Sequence, residues 1–183
     1  MKRTINLLII AVILTACQPR VAFNKSKTTI ERVTYNDNAN TTTTIISDTS
    51  EIGSVLNSIA LNDSDRNVRL EALSGVNNEA VLNSIAMNDV DADIRKVAVK
   101  KVTNEAVLNS IAMNDTHAGL RMIAVERVTN EAVLNSIAMN DADCGVRKSA
   151  MLKVTNPAVL SSIAMNDKDG EVRKLAVQRL KKR

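Results

Sequence analysis

Few side chains in this sequence of 183 residues are chemically reactive, and their spacing limits what they can do. There is one histidine, His117, and there are two cysteines, Cys17 and Cys144. A metal or nucleophile site needs several unlike donors at one point. His117 instead stands in a column held elsewhere by Asp91, Asp143 and Asp169, with no second His or Cys to complete a set. Met87, Met113, Met139 and Met165 recur every 26 residues. Thioethers select copper(I), but helices packed about 8 to 10 Å apart cannot easily bring two such sulfurs to one ion. The Met column therefore reads as packing or as a weakly apolar contact surface. Arginines recur in the same way: Arg69, Arg95, Arg121, Arg147 and Arg173 each follow an aspartate by six residues, namely Asp63, Asp89, Asp115, Asp141 and Asp167. Catalysis requires different groups converging on one point, whereas this chain sets the same group at regular intervals. No catalytic residue, metal ligand or cofactor is assigned, and no phosphate-cradling glycine loop occurs.

Composition narrows the field further. Trp is absent, and Phe23 and Tyr35 both precede the repetitive region, so the repeats offer no aromatic platform for bases or sugars. The formal charge of +4 comes from charges of alternating sign rather than blocks, which excludes a nucleic-acid footprint. A small-molecule substrate would want one pocket with a few fixed polar groups, and no such set is present.

At the N-terminus, Lys2 and Arg3 precede an apolar stretch, Ile5 to Leu14, too short to span a bilayer but suited to a signal peptide. It ends in Leu14-Thr15-Ala16-Cys17, which resembles the bacterial lipobox at all four positions. The resemblance implies cleavage before Cys17 and acylation of its thiol and amine, and two or more acyl chains give durable attachment to membrane lipid. Gln18 resembles the residue following the cysteine in lipoproteins released to the outer membrane, so the expected location is the bacterial envelope, lipid-anchored, at the outer membrane facing the periplasm in a Gram-negative cell. With Cys17 acylated, Cys144 is the only remaining thiol and no internal disulfide is available. The column of Cys144 holds Arg66, Ala92, Ala118 and Gly170 in the other repeats, as a tolerant surface position would.

Residues 17–50 are rich in Thr, Asn and Ser and read as a tether, which if flexible spans roughly 30 Å. Thr28 to Tyr35 and Thr41 to Ser47 are β-branched and partly alternating, with Asn36 to Asn40 as a turn, so a marginal hairpin is an alternative there.

From residue 51 to 183 the sequence is repetitive. The segment Asn-Glu-Ala-Val-Leu-Asn-Ser-Ile-Ala-Met-Asn-Asp begins identically at residues 78, 104 and 130, giving five units with a period of 26. A period of this size means a solenoid in which each unit buries its apolar face on its neighbours. Val81, Leu82, Ile85 and Ala86 share one side of a helical wheel, and Ile94, Val97, Ala98 and Val102 share one side of a second. Pro157 marks the first turn of a helix, so Asn156, Asn104 and Asn130 are predicted N-caps, and Asp89 or Asp91 can cap the second helix. The predicted fold is all-α: an α-solenoid of five helical hairpins after a signal peptide and a linker. Arg95 falls within the apolar arc, where a buried cation requires a carboxylate, either Asp89 or its equivalent in the neighbouring repeat.

The recurring Asp, Val or Ile, Arg and Ala, as in Asp89-Ile94-Arg95-Ala98 and Asp141-Val146-Arg147-Ala150, resembles the HEAT family, in particular its short HEAT-like and leucine-rich-variant members. The resemblance implies that the Asp and Arg tie neighbouring repeats in a ladder and that second helices line the concave side. Lys96, Lys148 and Lys174, with Lys100 beside them, would then lie where an envelope protein or peptide docks. Mixed charge is also what any solvated helix shows. The expected function is a non-catalytic, lipid-anchored binding or scaffolding module; the alternatives are a passive spacer at the membrane surface, or a bilin-lyase-like enzyme, which only the shared repeat would support.

Overall fold

The computed structural model of the protein describes residues 20–24, 29–35, 41–46 and 49–182. The expected signal segment 1–16, Cys17 and Gln18 lie outside the described residues. The chain divides into two compact units, Met1–Ile59 and Ala60–Arg183.

In the first unit, β1 (Arg20–Asn24), β2 (Thr29–Tyr35) and β3 (Thr41–Ile46) form an antiparallel sheet in the order β1-β2-β3. Ile30 is opposite Ile46 and Tyr35 opposite Thr41, while Arg20 of β1 is opposite Val33. β2 and β3 fall on the two segments, Thr28 to Tyr35 and Thr41 to Ser47, given above as a hairpin alternative within residues 17–50. Strand-forming Thr, Ile and Val supply the pairing segments, and a third strand, not foreseen from the short Arg20–Asn24 stretch, adds the support that a lone hairpin lacks.

Residues 49–182 are helical apart from short connections. The helices are α1 (Thr49–Asn62), α2 (Arg66–Gly75), α3 (Glu79–Asn88), α4 (Ala92–Lys101), α5 (Glu105–Asn114), α6 (Ala118–Arg127), α7 (Glu131–Asn140), α8 (Cys144–Met151), α9 (Pro157–Asn166) and α10 (Gly170–Lys181). They follow the 26-residue period, a first and a second helix in each unit, and the fold is an α-solenoid. Helices this short are marginal alone, so their ends are heavily capped. The side chains of Asn78, Asn104, Asn130 and Asn156 accept backbone N–H groups at the starts of α3, α5, α7 and α9. Asp65, Asp91, Asp143 and Asp169 do the same for α2, α4, α8 and α10. Of the two capping candidates, the nearer one, Asp91, is the cap; Asp89 is left for another task. His117, at the same place before α6, makes no side-chain cap bond.

Within the stack, α3 packs on α4, α5 on α6, α7 on α8 and α9 on α10; from α3 on, first helices pack on first helices, and from α2 on, second helices pack on second helices of the next repeat. Leu82, Ile85 and Ala86 meet Ile94, Ala98, Val99 and Val102 in a core of small aliphatic side chains that recurs unit by unit. Each buried Leu, Ile or Val contributes about 1.5 to 3 kcal/mol. Among the second helices, α6 packs most extensively on its neighbours α4 and α8. Gly145 leaves room for the N-cap of its own helix, because a Cβ there would lie 3.0 Å from Asp143 Oδ1.

Candidate functional site on the second-helix face

Three side-chain ladders join consecutive repeats and separate structural charges from available ones. In the first, Arg95 donates through Nε and Nη2 to both carboxylate oxygens of Asp115, at 3.0 and 3.2 Å, and through Nη1 to the carbonyl of Asp89 at 2.8 Å. Arg69 joins Asp89, Arg121 joins Asp141 and Arg147 joins Asp167 in the same bidentate way. Each arginine therefore takes the backbone carbonyl of its own repeat's aspartate and the carboxylate of the next. The carboxylates are held from the other side by the N–H two residues on, as Asp141 is by Asp143. These are buried pairs: the side chains of Arg147 and Asp167 are 2% and 3% exposed. Burial opposes ionisation of Asp115, Asp141 and Asp167, but the arginine hydrogen bonds, the N–H bonds and the guanidinium charge together outweigh it. Their carboxyls are held below the usual carboxylate range.

A second ladder was not read from the sequence. Lys101 of α4 donates Nζ to the carbonyls of Leu73, Ser74 and Val76, at 2.9, 3.2 and 2.6 Å, closing the end of α2. Lys153 does the same for Val125, Glu126 and Val128, Arg127 reaches Val99, and Arg179 reaches Leu152 and Val154. A cation at the negative end of a helix is a favourable charge–dipole contact. The signal was present as a basic residue every 26 positions, at or just past the end of the second helices.

In the third ladder the first-turn glutamate of a first helix accepts from the next repeat. Glu79 Oε1 takes the N–H groups of Thr103 and Asn104 at 2.7 and 2.9 Å, Glu105 is bonded by Thr129, and Glu131 by Thr155 and Asn156. The backbone bond from Thr103 holds the Glu79 carboxyl below its ordinary value.

The ends of the array lack these connectors. Gly75 occupies the backward-reaching cation's place in the first repeat, and Pro157 replaces the forward-reaching glutamate in the last. Arg173 keeps only its bond to its own repeat's Asp167 carbonyl, at 2.6 Å, and Asp63 has no arginine; among the described residues neither has an ion-pair partner.

Of the lysines expected to form a partner face, Lys96 and Lys100 on α4 are exposed and have no ion-pair partner among the described residues. Lys148 is half-buried with Nζ 3.9 Å from Asp169, and Lys174 lies 3.9 Å from Glu171. Arg66, at the start of α2, forks onto Asp91 and reaches Asp93, and its hydrogen bond holds the Asp91 carboxyl down at about 2. The second-helix face is a mixed surface in which Met122, Glu126 and the 54% exposed Leu152 stand between lysines.

His117 does not cap its helix. Its Nδ1 lies 3.1 Å from both Arg95 Nη2 and Thr116 Oγ1, beside the Asp115 carboxylate. Cys144 is a partly exposed free thiol at the start of α8. Among the described residues, no three His, Cys, Asp or Glu side chains are grouped so as to hold a metal ion, and no helix is long and apolar enough to cross a membrane. No protein-family model matches this chain, and no curated protein or solved structure is significantly similar to it.

Proposed function

We propose that this chain is a lipid-anchored, non-catalytic binding module of the bacterial envelope, built of HEAT-like repeats, that holds a protein or peptide along its second-helix face. The observation that carries the reading is the contrast between columns inside one chain. The first-helix segment is repeated without change in α3, α5 and α7, and the core of the second helices is held as buried aliphatics. The outward columns of the second helices differ at each step: Leu70, Lys96, Met122, Lys148 and Lys174 in one, and Ser74, Lys100, Glu126, Leu152 and Gln178 in another. A spacer needs only the repeated part. A face that changes from repeat to repeat, on an otherwise copied scaffold, is suited to one irregular partner, and solenoids offer extended surfaces of this kind. Charged positions tune the rate and choice of encounter more than raw affinity, so Lys96 and Lys100, free of ion pairs, would steer a partner with acidic groups. Acylation at Cys17 would keep the module at the membrane surface.

The test is in-cell crosslinking of the full chain followed by membrane fractionation. The variant K96E/K100E/K148E/K174E should lose at least nine-tenths of the crosslinked partner while keeping its helical content. Cys17→Ala should leave the membrane fraction. Undiminished crosslinking by the lysine variant would refute the binding face, and an unacylated Cys17→Ala chain still held on the membrane would refute the anchor.

A further inference from the structure

From the outer crest of the first helices we infer that two copies of this chain pair through that face, first helices against first helices. The outward side of α3 is formed by Ala80, Ser84 and Met87, and the same three residue types recur on α5, α7 and α9. Ala80, Ala106, Ala132 and Ala158 are exposed. The methionines form a row of exposed apolar side chains: Met87 44%, Met113 46%, Met139 42% and Met165 71%, with Leu61 at 40% in the same column. Packing in the core is therefore not what this column does.

No charged residue stands on the crest. The only charged side chains in these four helices, Glu79, Glu105 and Glu131, sit in the first turn and are bonded to the following repeat. Burying the crest thus strands no ion, whereas burying the second-helix face would desolvate several. Regular apolar rows on a soluble surface mark contact sites rather than decoration.

The pattern also selects the occupant. A partner that covers all the methionine rows must present complementary rows at the same repeat spacing, and a second copy does so, setting the middle of its methionine row, Met113 and Met139, against the same two residues of the first. A two-fold arrangement makes that contact self-complementary. The available area suffices: ten-residue helices are about 15 Å long, and four of them about 9 Å apart cover roughly 550 Å² per copy. Together the two copies would bury about 1,100 Å², near the lower bound for a stable interface. A lipid surface fits less well, because interfacial helices carry basic and aromatic residues and this crest carries neither. End-to-end growth fits less well too, since Gly75 and Pro157 remove two of the three connectors a following copy would need.

The experiment is sedimentation equilibrium of the full chain carrying Cys17→Ser, so that acyl chains play no part. The parent should sediment as a dimer, at about twice the chain mass of 19.9 kDa. M113K/M139K, in which each buried lysine would meet another, should weaken association more than tenfold with unchanged helical content. Mixing it with M113E/M139E should restore the dimer. A parent that is monomeric at 100 μM on the instrument's scale, roughly a hundred times a micromolar dissociation constant, overturns the proposal. So does a dimer indifferent to M113K/M139K, which would place association elsewhere, or failure of the two charge variants to recombine. A monomer that floats with phosphatidylcholine vesicles and loses that with M113K/M139K would assign the crest to lipid and likewise overturn it.

Discussion

Replacing Arg121 with methionine would keep most of the side-chain volume in the middle of the stack and remove its charge. The arginine donates to both oxygens of Asp141 at 2.8 Å and to the Asp115 carbonyl at 2.8 Å. The Asp141 side chain is only 5% exposed, so the variant leaves a buried carboxylate held by the Asp143 N–H alone. Breaking a buried pair from one side costs about 3 to 5 kcal/mol. Arg173 offers the internal control: it has the same backbone bond to its own repeat but no carboxylate beyond it. Arg173→Met should cost only the charged hydrogen bond, about 1.5 to 3 kcal/mol at most. At roughly 4 °C per kcal/mol for a folded region of this size, the two melting shifts should be about 12 to 20 °C and about 6 to 12 °C. Thermal unfolding of the full chain at pH 7, followed by circular dichroism, measures both. A third variant separates charge from shape. In R121M/D141N the amide oxygen can still accept the Asp143 N–H, but no buried charge remains, so this double variant should be more stable than R121M. Equal shifts for R121M and R173M, or a double variant less stable than R121M, would refute the assignment of the ladder as a set of buried ion pairs.

Two further outcomes follow from the same contacts. Asp115, Asp141 and Asp167 have carboxyls held below their ordinary value of 3.8; such groups stabilise the fold above the unfolded-state value and lose that stabilisation as pH falls toward the folded one. Melting temperature should therefore change little from pH 7 to pH 5 and drop steeply below about 3.8, and a flat profile down to pH 2.5 would show that the pairs contribute nothing net. His117→Asp should raise stability by about 1 kcal/mol, because it supplies the missing side-chain cap at the start of α6, as Asp91, Asp143 and Asp169 do for their helices; a lower melting temperature at pH 7 would mean that the contact between His117 and Arg95 outweighs the cap.

The period, the helix pairs and the caps were legible because each is local: a 26-residue recurrence, a 3.6-residue apolar pattern, an asparagine before a helix. Pro157 in particular fixes where the first helices begin, and the structure starts α9 at that residue. What depends on the stacking offset was not legible. The six-residue spacing left Asp89 and the neighbouring repeat's aspartate both open as the partner of Arg95; the carboxylate partner lies twenty residues onward, at Asp115, and the nearer aspartate contributes its carbonyl. Lys101 was invisible for the same reason, since its acceptors belong to the end of the preceding second helix. Reading lysines from a wheel alone gave Lys96, Lys100, Lys148 and Lys174 equal standing, whereas Asp169 and Glu171 lie beside the last two. A helical wheel knows one helix; charge pairing in a solenoid is decided between helices.

The first and fifth repeats depart from the middle three at their connectors. A perfectly copied unit would present its connectors at both faces and would favour open-ended growth, since a head-to-tail contact closes only when its rotation does. Here the changes fall on the connectors: the cation's place is Gly75 in the first repeat, and the glutamate's place is Gly53 in the first and Pro157 in the fifth. Arg173 persists because it still serves its own repeat through the Asp167 carbonyl. Proline in the first helical turn needs no N–H and presets the backbone, so α9 gives up its forward link without losing its own start. The first and fifth repeats thus differ from the middle three at residues that join repeats. The outward side chains of the second helices and the methionine crest are used by none of the three ladders.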